Sequence, residues 1–207
     1  MKIIIPARRG SQGFPFKNRK LFDETARTIM QSPYNVIVSS NDEVIKIKTD
    51  SYGFVFHKRS EDGASHTATP KQFMQEIIND CKIPDDEIII CLYLTYPERN
   101  TSDISNAWKF FSEGNADSML CSKKALTSPY LMIYEDGKQV IEHNLCRRQD
   151  YKKCFEISHF VCIFRAGELS NLNNNLYNEK TAFMPIRNVV DVDTERDYIQ
   201  YDILRGH

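Results

Sequence analysis

The sequence has 207 residues, of which 41% are apolar and 27% charged, the balance of a soluble globular chain long enough to bury a substantial core. Its 27 Lys and Arg against 28 Asp and Glu leave a net charge of −1, so no whole-surface attraction to nucleic acid or membrane is expected and any anion site must be local. No apolar run approaches the ~18 residues of a membrane-spanning helix, and Met1 to Pro6 is too short for a signal peptide.

In chain order, strand-length apolar runs are predicted at Lys2 to Pro6, Asn35 to Ser39, Phe54 to Phe56, Glu87 to Leu94, Ser118 to Cys121, His159 to Phe164 and Phe183 to Ile186. The run from Glu87 to Leu94 lacks alternation, as a central strand covered on both faces should. Helical patterns separate these runs. Asp42 to Tyr52 directs Val44, Ile45 and Ile47 inward, and Thr69 to Cys81 places Phe73, Met74, Ile77 and Ile78 on one stripe. Ser102 to Glu113, capped by Thr101 or Ser102, buries Ile104, Trp108 and Phe111; Thr194 to Leu204 opens on a cap-like Thr-Glu-Arg-Asp. Phe22 to Ser32 leaves room for about two helical turns. Strands alternating with helices predict one α/β domain over 1–207, a Rossmann-like three-layer fold with a mostly parallel sheet and ligands at the carboxyl ends of its strands. Residues 123–151 break the rhythm with a Glu135-Asp136-Gly137-Lys138 hairpin signal. They read as a small excursion serving substrate binding or dimerisation. Six scattered cysteines with no C-x-x-C pair argue against a zinc site or disulfide framework. They predict a reduced, cytoplasmic protein, with Cys91, Cys121 and Cys162 buried.

The loop after the first run carries the chemistry. Between Arg8 and Lys20 five of thirteen residues are basic and none is acidic, where a chain-average stretch would hold about two basic residues. Gly10 and Gly13 let the backbone present its N–H groups, and Ser11 adds a hydroxyl. Glycines, N–H groups and fixed cations suit a polyphosphate, although the spacing is neither the P-loop nor G-x-G-x-x-G. Near the other end, Asp191 and Asp193 lie two apart in an extended segment, so both carboxylates face one side and could share a divalent cation such as Mg²⁺. The alternative is that Asp193 merely caps the last helix.

The segment Ala7-Arg8-x-x-Ser11-x-Gly13-x-Pro15-x-Lys17-Asn18 resembles the N-terminal signature of the acylneuraminate cytidylyltransferases, the CMP-sialic acid synthetase family, roughly A-R-x-x-S-K-G-x-x-x-K-N. The resemblance continues through Ile37-Val38-Ser39-Ser40, Arg59 with Ser65-His66-Thr67-Ala68, Leu92 to Arg99 (against L-Q-P-T-S-P-L-R), Arg148-Gln149, and Asp191-Val192-Asp193-Thr194 to Asp197. It implies a cytidylyltransferase that moves CMP from CTP to a sugar acid, a sialic, legionaminic or pseudaminic-like ulosonic acid or related acceptor, with release of pyrophosphate. It implies that Arg8 and Lys17 hold the leaving phosphates, and that Asp191 and Asp193 hold Mg²⁺. Ala7, Ser11, Gly13, Asn18 and Arg59 would contact CTP. A homodimer is expected.

The departures cluster on the acceptor side. Gln12 replaces the lysine of S-K-G, His66 stands where the family has Asp, and Tyr93, Leu94, Tyr96 and Glu98 alter Q-P-T-S-P-L-R. Glu156 falls at an arginine position of an R-E-N-G motif, and Ser158-His159 replaces its Asn-Gly. A carboxylate there would repel a sugar acid, which predicts that N-acetylneuraminic acid is a poor acceptor. No general base stands out among His57, His66, His143 and His159. Two rival readings are a glycosyltransferase using Asp191-Val192-Asp193 as a D-x-D motif and a nucleotide-binding module without turnover.

Overall fold

The computed structural model describes residues 1–206. Its elements follow in the order β1 (Lys2–Pro6), α1 (Lys17–Ile29), β2 (Asn35–Ser40), α2 (Glu43–Ser51), β3 (Val55–Lys58), α3 (Glu61–Ala64), α4 (Pro70–Asp80), β4 (Ile88–Cys91), α5 (Thr101–Ser112), β5 (Ser118–Lys124), β6 (Phe155–Arg165), β7 (Ala182–Pro185) and α6 (Glu195–Leu204). The strands form one seven-stranded sheet in the order β3-β2-β1-β4-β6-β5-β7. Neighbours pair in parallel except at β6, which runs antiparallel to both β4 and β5.

Alternation along each strand sorts side chains into two cores. Ile3, Ile5, Ile90, Val161 and Ile163 pack on one face against Leu21 and Phe22 of α1, Ile104 and Phe111 of α5, and Tyr201 of α6. Ile4, Ile89, Cys91, Cys162 and Phe164 face the other way, onto the Phe73-Met74-Ile77-Ile78 stripe of α4. Each of those four side chains is buried, a contribution of roughly 1.5–3 kcal/mol apiece. The helix starts where the sequence directs. Thr69 caps it, Gln72 completes the capping box, and Pro70 sits in the first turn.

Several boundaries differ from those expected. Helix α1 begins at Lys17, because Phe16 takes a left-handed conformation (φ 58°) and turns the chain without any side-chain cap, a start that leaves no sequence signal. Helix α5 is capped by Asn100, whose side chain accepts from Asp103 N–H, rather than by Thr101 or Ser102. In α2 only Ile45 of the expected apolar face is buried, while Val44 and Ile47 are exposed. Strands β5 and β6 continue as a ladder out to Lys124↔Phe155, so the excursion is residues 125–154. It contains the expected turn, with Tyr134 N–H on the Lys138 carbonyl and Gly137 at φ 83°. A ring stack of Tyr130 on Tyr151 (4.9 Å, 6°) packs its base, and most of its apolar side chains stay exposed. Cys91, Cys121 and Cys162 are buried thiols. Among the described residues no helix is long and apolar enough to cross a membrane.

Candidate active site

A cavity of about 500 Å³ opens at the carboxyl ends of β1 and β4, where parallel strands release their chains into loops. The first loop, the turn after β3, the segment following β4, the near half of β6 and the Asp191 segment all line it. Because β6 runs in reverse, its beginning lies beside the end of β4, which brings His159 to this rim.

The basic loop divides its charges. Arg8 and Lys17 line the cavity together with Ser11, Gly13 and Asn18. Asn18 Nδ2 donates to the Arg8 carbonyl at 2.8 Å and ties the two ends of the loop together. The other cations face elsewhere. Arg19 forms a two-point pair with Asp42 (2.7 and 3.0 Å), and Lys20 lies over the Phe14 ring at 4.3 Å. Gly10, at φ 81°, occupies backbone space that disfavours a side chain. Gly13 is required by contact, since a Cβ there would stand 2.6 Å from the Asp193 carbonyl oxygen.

Asp191 and Asp193 flank Val192, which is fully buried and whose N–H donates to the Thr95 carbonyl at 2.8 Å. That anchor turns both carboxylates to the cavity. Asp193 does not cap α6; Thr194 does, in a capping box with Asp197, and Asp193 Oδ1 instead receives Lys17 Nζ at 2.6 Å. Asp191 Oδ2 accepts from Tyr96 Oη at 2.7 Å, while its Oδ1 is buried with no donor. Burial pushes the Asp191 carboxyl above the usual carboxylate range. A sealed carboxylate oxygen without a partner, beside a second carboxylate, is a donor set of hard oxygens that fits Mg²⁺.

Arg59 also lines the cavity, almost wholly buried, with its guanidinium 4.5 Å over the Phe73 ring. Ala7 does not; it sits in the core, its N–H on the Ser39 carbonyl. His66 is exposed. Glu156 is not on the cavity wall: it pairs with Lys123 at 3.5 Å and accepts from Leu126 N–H, so the expected anionic wall is absent there. Wall residues that escaped the sequence reading of the nucleotide site include Phe73, Tyr93 and His159. Phe73 looked like core, Tyr93 like a departure, and His159 like one histidine among several. Arg99 lies behind them, its guanidinium on the carbonyls of Phe160 (2.6 Å) and Tyr93 (2.9 Å), which fixes the segment after β4.

No family model matches the chain. Post-translational flagellin modification protein B of Campylobacter coli is 30% identical over 216 residues, covering 94% of this chain and 90% of that protein. N-acylneuraminate cytidylyltransferase of Streptococcus agalactiae serotype V is 22% identical over 220 residues. The chain belongs to the CMP-sugar synthetase family. It spans 51% of the streptococcal enzyme's length. Among solved structures, CMP:2-keto-3-deoxy-manno-octonic acid synthetase complexed with CTP superposes with a TM-score of 0.71 at 14% identity, covering 99% of this chain and 97% of that one. The 4-diphosphocytidyl-2C-methyl-D-erythritol synthase of Anaerococcus prevotii gives 0.65 at 12% identity, over 100% and 98%. Both share the synthetase fold.

Proposed function

We propose that the cavity binds CTP and that the enzyme transfers CMP to a hydroxyl of a sugar acid, the anomeric hydroxyl of a nine-carbon ulosonic acid, releasing pyrophosphate. The observation that carries this reading is the junction of the two charged motifs. Gly13 lies against the Asp193 carbonyl and Lys17 reaches the Asp193 carboxylate, so phosphate-binding loop and carboxylate pair form one rim.

In this reading Arg8 and Lys17 neutralise the departing phosphates, and Ser11 with the loop N–H groups completes the cradle. Asn18 keeps that loop closed, and Arg59 meets the nucleotide. Asp191 and Asp193 would hold Mg²⁺, whose charge would offset that of the phosphate oxygens. Transfer then depends on alignment: the acceptor oxygen bonds to the α-phosphorus, the bond to the β-phosphate oxygen breaks, and pyrophosphate leaves. The acceptor's proton goes to His159. Its Nε2–H donates to the Asn175 carbonyl at 3.2 Å, which leaves Nδ1 as the acceptor, and burial keeps the ring below the ordinary histidine range and neutral at pH 7.

Residues 1–207 act as one cytidylyltransferase domain in a cytoplasmic homodimer. Leu126 (85% exposed) and Ile133 (68%) on the excursion supply the apolar contact. Sedimentation should show a dimer that Ile133→Glu dissociates. The reaction itself is tested by pyrophosphate release from CTP and Mg²⁺ with a panel of ulosonic acids and phosphonates. Release with a ulosonic acid, matched by a CMP-sugar product, is expected; no release with any member would overturn the acceptor class.

A further inference from the structure

We propose that Ser39 and His57 are positioning residues for nucleotide recognition, holding the Arg59 guanidinium so that its unspent N–H donors meet an acceptor oxygen of the bound nucleotide. The inference rests on the reading of the cavity as the CTP site.

The sheet builds the arrangement. Ser39 of β2 and His57 of β3 are directly opposed in register, so their side chains share one face. Arg59 lies two residues beyond His57, and its N–H on the Ser40 carbonyl (3.0 Å) continues the ladder, which puts it on the same face. Ser39 Oγ therefore lies between the other two side chains. It is 3.0 Å from Arg59 Nε and 3.0 Å from His57 Nδ1.

With a neutral His57 ring the donors run one way, because Asp80 can only accept. Arg59 Nε–H has no lone pair to offer, so it donates to Ser39 Oγ. The serine hydroxyl then gives its own hydrogen to His57 Nδ1, and the ring carries its hydrogen on Nε2, 3.1 Å from Asp80 Oδ2. Helix α4 supports both ends of this chain. Phe73 lies under the guanidinium and Asp80 receives the histidine. Glu76, between them on the helix, accepts from Ser60 N–H and Ser60 Oγ and adds negative potential toward Arg59.

What the chain leaves undone points to the ligand. The Arg59 side chain is held at Nε and stacked on Phe73, so the plane of the guanidinium is set. Yet Nη2 is buried with no acceptor. Burial lowers its pKa to about 10, so the group stays cationic at neutral pH. A desolvated cation with spent Nε and idle Nη donors, in the wall of a cavity, calls for an oxygen acceptor from whatever enters. A nucleotide offers two kinds, a phosphoryl oxygen and a base carbonyl.

The test uses the full-length protein. In wild type the Arg59 Nε–H resonance should be protected from exchange, and in Ser39→Ala and His57→Ala it should lose that protection. Both variants should bind CTP on the order of tenfold more weakly by calorimetry, with KM for CTP raised and kcat within about twofold. His57→Asn keeps an acceptor near the Nδ1 position and should bind CTP within about threefold of wild type, a rescue that a merely structural histidine would not show. Parallel titrations with cytidine and inorganic tripolyphosphate locate the acceptor, since the loss should follow whichever half carries it. Unchanged CTP affinity in folded His57→Ala, or an equal loss in His57→Asn, overturns the inference and leaves the CTP reading standing. Failure of wild type to bind CTP overturns both.

Discussion

Tyr96 Oη donates to Asp191 Oδ2 at 2.7 Å and accepts from Ser158 Oγ at 3.3 Å. Tyr96 and Ser158 are both departures from the pattern that the sequence resembles, and they meet each other. Burial raises the phenol's pKa, so it stays a donor at any working pH. The pair steers Asp191 by one oxygen and leaves the other free.

Tyr96→Phe keeps the ring against Phe160 but removes that donor. Mg²⁺ affinity in the presence of CTP should fall by about 10–100-fold, the range for lost partners of metal-holding carboxylates. Calorimetric Mg²⁺ titration measures it, and Asp191→Asn and Asp193→Asn should abolish Mg²⁺-dependent turnover with little change in Tm. A large Tm loss with ordinary activity in Asp193→Asn would contradict the metal role.

Lys17→Ala removes a cavity cation. Transition-state stabilisation should drop by about 2–4 kcal/mol, read from kcat/KM for CTP. The freed partner Asp193 is exposed, so melting should change little. Parental turnover would exclude Lys17 from phosphate binding.

His159→Gln cannot accept the hydroxyl proton. We expect kcat to fall by about 10²–10⁴-fold with CTP affinity retained. In wild type the rate should rise with pH through a value below the ordinary ~6.5 of histidine, because burial lowers the pKa and the neutral form is the base. That limb should vanish in the variant; an unchanged profile would remove His159 from the proton path.

Asp42 tests the scaffold. Burial pushes its carboxyl up, but the two-point bond from Arg19 and the Val44 N–H outweigh this and hold it below the usual range. A lowered folded pKa adds stability above the unfolded value of ~3.9 and loses it as pH falls through the folded value. Asp42→Asn keeps a capping side chain but loses the charge-assisted bonds from Arg19, which should cost about 1.5–3 kcal/mol at pH 7. The gap in Tm from wild type should close toward pH 3. A gap independent of pH would mean that the ion pair contributes nothing.

How much of this was legible follows from what each signal depends on. The α4 stripe and the alternation of strands and helices are local patterns, and they placed the sheet and its layers correctly. The start of α1 was not readable, because Phe16 turns the chain by a backbone conformation that no residue type announces. The thirteen-residue basic loop was legible as a concentration of charge, yet only packing against Asp42 and Phe14 decides that Arg19 and Lys20 leave the cavity. Glu156 was misplaced for a related reason. Its alignment with an arginine says nothing of Lys123, which the ladder brings opposite it. Ser39 and His57 were invisible as a pair until β2 and β3 were in register.

The antiparallel rung at Lys124↔Phe155 has an architectural consequence. The two ends of residues 125–154 leave the sheet side by side, as the ends of a hairpin loop do, and closure entropy grows only slowly with the length of such a loop. A two-residue turn could join the same rung and leave every strand paired. The segment is thus a replaceable cassette: its length can change without passing strain to the cavity, which is lined by other loops.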